Sequence, residues 1–156
     1  MSPRLNLYAL AQKPLEQLLA LEKYLTDSGL EHGLLHLVKM RASQINGCAY
    51  CLHMHSADAL KAGEDPKRLF LLDAWRESSL YSPRERAALG WTEALTRVAE
   101  THAPDEDFQA LKPHFSDQQI ADLTLAIGLI NTWNRLAIGL RSEHPKDKPA
   151  RETAAA

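Results

Sequence analysis

The chain has 156 residues, 45% hydrophobic and 24% charged, with 18 Lys+Arg against 20 Asp+Glu and a formal net charge of −2. This is the make-up of one soluble domain that can bury a core without disulfide staples or a structural metal. With no sustained basic run it argues against nucleic-acid or anionic-membrane binding, which need a cationic face. The most apolar stretch, 123–133, is interrupted by Thr124, Gly128, Asn131 and Thr132 and is too short to cross a bilayer. The opening Met1-Ser2-Pro3-Arg4-Leu5-Asn6 lacks the apolar segment of a secretory signal, so a cytoplasmic location is expected. There, a close cysteine pair is more often catalytic or metal-binding than structural.

Leu, Ala, Glu, Gln, Lys and Arg dominate and Val occurs only twice, which predicts an all-α fold. Pro14 opens a helix carrying Leu15, Leu18, Leu19, Leu21 and Leu25, ended by Asp27-Ser28-Gly29. A second runs over 32–46 and breaks at Asn46-Gly47, and a third starts near Cys48 and stops at Gly63. Asp65-Pro66 opens a fourth, to about Glu77, with Leu69, Leu72 and Trp75 on one side. Ser82-Pro83-Arg84-Glu85 is a capping-box start for a fifth, reaching about Glu100. Ala103-Pro104-Asp105 begins a short helix that ends at Lys112-Pro113, and Ser116 caps a last one over 117–140. That last helix is apolar nearly all round and is expected to be buried, if necessary between subunits. The bounds expected are a helical domain over 1–142 and a loosely held tail over 143–156.

Chemistry concentrates in Asn46-Gly47-Cys48-Ala49-Tyr50-Cys51-Leu52-His53-Met54-His55. At about 100° per residue, Cys48, Cys51 and His55 share one helical face, while His53 and Tyr50 point elsewhere. Four tetrahedral donors therefore cannot converge from this helix, and zinc would need a further ligand, with His36 nearest in sequence. Redox chemistry uses the geometry more fully. Two cysteines three apart at a helix start can join and separate, the first-turn N–H groups favour a thiolate, and His55 is placed to take the proton of Cys51. A thiolate, a proton carrier and a second thiol suit peroxide reduction, with the second cysteine condensing onto Cys–SOH before over-oxidation. The helix dipole acts more strongly on Cys48 and His55 lies nearer Cys51, so spacing leaves the order of attack open. Trp75, Trp91 and Trp133 read as core or interface aromatics, Arg135 as a structural salt bridge and Glu31 as a capping residue.

The run 40–51 with Met54-His55, together with Trp91-Thr92-Glu93-Ala94-Leu95-Thr96 and Asn131-Thr132-Trp133-Asn134-Arg135-Leu136, resembles the AhpD-like alkylhydroperoxidases of the carboxymuconolactone decarboxylase superfamily. The resemblance implies an all-helical bundle assembled as a trimer or hexamer, with Cys51 attacking a hydroperoxide, Cys48 resolving it and His55 relaying the proton. The family's relay glutamate lies twelve residues before the first cysteine, where this chain has His36. His36 is thus a substituted relay member, and Glu93 compensates if its helix packs across the cluster. With no glycine-rich dinucleotide fingerprint, no flavin or nicotinamide cofactor is expected, and reducing power is expected from a dithiol or lipoyl-type redox protein. The alternative is a redox-sensing or structural oligomer with little turnover. A lactone decarboxylase of the same superfamily fits less well, because those enzymes generally lack the cysteine pair.

Overall fold

The computed structural model describes residues 2–143, and all regular structure among them is helical. The elements are α1 (Leu7–Leu10), α2 (Gln12–Thr26), α3 (His32–Asn46), α4 (Ala49–Lys61), α5 (Pro66–Phe70), a 3₁₀ turn (Leu72–Ala74), α6 (Pro83–Thr96), α7 (Val98–Thr101), α8 (Asp105–Leu111) and α9 (Asp117–Leu140). The all-α expectation holds; the tail expected over 143–156 lies, but for Glu143, outside the described residues.

Helix α3 is the hub, packed along α4, α6 and α9, while α2 lies on α9 and α8 on α6. Its residues Leu34, Leu35 and Val38 enter one core cluster with Leu25, Trp91, Leu123 and Ile127. Leu37 and Met40 enter a second with Ala59, Leu72, Trp75 and Leu89. The helix expected to be surrounded was α9, but within the chain its Leu125 and Ile138 stay 48% and 46% exposed. α3 takes the central place because its apolar residues fall at both three- and four-residue steps and so cover more than one face.

Helix starts follow their capping signals. Ser82 and Ser116 each close a full capping box, with Glu85 and Gln119, and Asp65 caps α5 ahead of Pro66. Ser82→Ala is expected to cost about 1 kcal/mol of stability by removing the acceptor of the Glu85 N–H, measured by urea denaturation.

Two expected helices are interrupted. The fourth stops at Phe70, and the chain turns through Leu72–Ala74. Arg86 holds the carbonyls beyond, donating to Trp75 and Arg76 at 2.8 Å and to Ser78 at 3.0 Å, while Leu72 and Trp75 sink into the second cluster. The fifth ends at Thr96, and the Thr101 hydroxyl donates to the Ala94 carbonyl at 2.6 Å. Glu31 occupies the position before α3 but makes no side-chain cap, pairing instead with Arg84 at 2.9 Å. Arg135 is exposed and forms no ion pair among those described; it donates at 2.9 Å to the Asn131 carbonyl and side chain.

Candidate active site

Gly47 decides how the cysteines are presented. It closes α3 in a left-handed conformation, φ 68° and ψ 33°, which is strained for a residue with a Cβ and free for glycine. The Gly47 N–H donates to the Gln44 carbonyl at 3.1 Å and the Cys48 N–H to that of Ser43 at 3.0 Å, the two bonds of a Schellman end. Behind this elbow Asn46 donates to Asn131 at 2.9 Å and to Asn134 at 2.8 Å, and Asn134 donates to Ser43 at 3.1 Å. These amides tie the end of α3 to α9, so the turn into α4 begins from a fixed point.

Cys48 is the N-cap of α4, and its sulfur accepts the Cys51 N–H at 3.4 Å. The two sulfurs stand at disulfide distance with Cα atoms 5.4 Å apart, inside the roughly 4.4–6.8 Å window that a disulfide allows. Cys51, His55 and Ala59, four residues apart, form the buried stripe of α4. Cys51 and His55 are only 2% and 7% exposed, yet both line a cavity of about 750 Å³. Cys48 is not on that wall and is 1% exposed. Of the pair, only Cys51 lines the cavity.

His36 joins Cys51 and His55 on the wall, half-buried on α3. Tyr50 also lines it, contrary to the helical projection, which follows Cα directions and not a long ring reaching sideways. Glu93 does not join them. Its Oε1 accepts from Arg41 and from Trp75, both at 2.8 Å, and its Oε2 from Arg76 at 2.7 Å. Burial pushes the Glu93 carboxyl up, but the Trp75 and Arg41 hydrogen bonds and the Arg41 and Arg76 charges bring it below its usual value. It is a structural anchor, tying the 3₁₀ turn to α3 and α6.

Sequence reading missed the ion pair on the cavity wall, Lys39 Nζ to Glu22 Oε2 at 2.5 Å, with side chains 13% and 21% exposed. Lys39 was traceable as the residue three after His36, on the same face of α3. Glu22 is brought in from α2 by tertiary packing and carries no local signal.

Burial first, then the Lys39 and His36 charges, push His55 down to about 4. At neutral pH its imidazole is uncharged, and it is a weaker base than a free imidazole. Burial likewise lowers His36, with Asp58 opposing and Lys39 and His32 reinforcing. The unfolded chain protonates His55 below about 6.5 and the folded chain only below about 4. Between these values the unfolded state holds more protons, so stability is full above the window and falls as pH drops through it, by about 3 kcal/mol from this residue. Urea denaturation at pH 7 and pH 4.5 is expected to show this loss in the wild type and a smaller one in His55→Gln.

The model of the carboxymuconolactone decarboxylase family matches residues 10–94, more than half of the chain. The chain belongs to this family. It is 39% identical over 140 residues to the uncharacterized protein YdfG of Bacillus subtilis, spanning 90% of this chain and 95% of that one. A crystal structure from Agrobacterium tumefaciens, of a protein of unknown function proposed as antioxidant defence protein AhpD, matches with TM-score 0.89 and 48% identity, over 92% of this chain and 99% of its own. An uncharacterized peroxidase-related protein from Silicibacter matches with TM-score 0.75 and 27% identity, over 86% and 71%. The AhpD-like likeness read from the cysteine motif therefore holds for the family and the fold, and this family member carries its close cysteine pair at the start of α4.

Proposed function

We propose that the protein is a thiol-dependent peroxidase that reduces organic hydroperoxides through Cys51, Cys48 and His55. The observation that carries this is that Cys51 and His55, one turn apart, open on the same cavity while Cys48 waits at disulfide distance behind. In the reduced enzyme neutral His55 takes the Cys51 proton. The thiolate attacks the terminal peroxide oxygen, the O–O bond breaks, and the alkoxide leaves with the proton returned by His55. Cys51–SOH then condenses with the Cys48 thiol, releasing water and forming the disulfide. An external dithiol or lipoyl-type protein accepts the disulfide and restores both thiols. His36 on the same wall serves as a further proton carrier in place of a carboxylate.

Among the described residues no helix is long and apolar enough to cross a membrane. Tyr8, Leu10, Leu19 and Tyr24 of α1 and α2, each at least half exposed, supply an apolar face for further copies, in keeping with the trimers or hexamers that the family resemblance implies; sedimentation is expected to give three or six times 17.4 kDa.

The test is consumption of cumene hydroperoxide by the reduced protein with excess dithiol. Steady turnover with one alcohol formed per peroxide supports the reading. Formation of one disulfide per chain followed by arrest, with dithiol still present, overturns it in favour of a redox sensor, a reading to which the near-complete burial of both cysteines also lends itself.

A further inference from the structure

The substitution of His36 for the usual relay carboxylate leaves the site without the acid that raises histidine basicity, and the cavity wall holds something else in its place. Lys39 extends from α3, the helix packed directly along α4, and is joined by Glu22 from α2, which packs on α9. Both side chains are largely withdrawn from solvent, so neither the attraction between them nor their field at the cavity is screened as at a surface. The pair is oriented. Lys39 is on the element that touches the cysteine helix, and it is a charge that acts on both His55 and His36, whereas Glu22 is not among the charges felt by either.

We propose that Glu22 and Lys39 are positioning residues that set the charge of the redox site: the Lys39 ammonium favours the Cys51 thiolate, and Glu22 holds that ammonium in place and attenuates it. A cation beside a cysteine stabilises the charged nucleophile. It also disfavours imidazolium at His55, so the histidine returns its proton to the leaving alkoxide readily. A glutamate relay works by making the histidine a stronger base; here a lysine makes the thiol a stronger acid. The other ionisable groups on the wall are Tyr8 of α1, His36 of α3, Tyr50 and Asp58 of α4, and Glu143 beyond α9. Asp58 is exposed; it opposes Lys39 at His36 but is not among the charges felt by His55. The inference rests on Cys51 being the reactive thiol, and its test does not require peroxidase turnover.

The test is the rate of Cys51 alkylation by iodoacetamide against pH, in the fully reduced protein carrying Cys48→Ser. Lys39→Met is expected to move the midpoint up by about one unit, cutting the rate at pH 7 about tenfold. Glu22→Gln, which frees the ammonium from its counter-charge, is expected to move it down. Opposite signs from the two partners are the signature, because loss of packing at this wall shifts both variants the same way. Unmoved midpoints in both variants, or shifts of one sign, overturn the inference. Failure of peroxide turnover with the opposite shifts intact overturns only the peroxidase reading.

Discussion

Cys51→Ser is expected to abolish hydroperoxide turnover, a loss of at least about a thousandfold, because Cys51 is the cysteine that lines the cavity. Cys48→Ser is expected to fail differently. Its Cys51 still attacks, so each chain consumes one equivalent of peroxide and then stops at the sulfenic acid, which dimedone traps and mass spectrometry locates. The two variants therefore separate attack from resolution, which sequence spacing left open. The helix dipole favours Cys48, since it caps the helix; exposure to the cavity and the turn shared with His55 favour Cys51. Access is expected to decide, because a sulfur that the peroxide cannot reach gains nothing from its charge. A dimedone adduct on Cys48 in the Cys51→Ser protein would falsify this order.

Glu93→Ala is expected to destabilise the fold by about 3 kcal/mol, read as a lower urea midpoint at unchanged m-value. Arg41 is only 5% exposed, and removing Glu93 strips its Nε partner and leaves Trp75 Nε1 without an acceptor. Asp73 and Gln44 still reach the other end of the guanidinium, which keeps the loss at the lower end of the range for broken buried pairs. Glu93→Gln keeps an acceptor for Trp75 and is expected to cost less. Alkylation of Cys51 in Glu93→Gln is expected to match the wild type within about twofold, since the carboxylate is not on the cavity wall. A large change there, with stability intact, would return Glu93 to the proton path.

What the sequence disclosed was what local physics determines. The capping box at Ser82, the cap at Ser116, the Asp65-Pro66 start and the Gly47 break each rest on a few adjacent residues, and all four are present. The Cys51/His55 face followed from helical period alone. What stayed hidden was set by contacts distant in the chain. Arg86 holds the turn beyond the fourth helix by binding carbonyls ten or so residues away, and Glu22 comes to Lys39 from another helix. Glu93 was a relay candidate only if its helix packed across the cysteine cluster; that helix packs along α3 instead, and the carboxylate is engaged by Arg41, Trp75 and Arg76 away from the cavity wall. α1, a single turn capped by Asn6, is too short for any periodic signal.

The backbone N–H and guanidinium of Arg4 bond the carbonyls of Leu140 and Gly139 at 3.0 and 2.8 Å, and residues flanking both partners line the cavity. The outer wall of the chamber is thus stitched from segments at opposite extremes of the described chain. A fluorophore, purification handle or solid support attached near either one therefore sits beside the chamber. Kinetic comparisons between differently tagged preparations are expected to compare this wall as well as the catalyst.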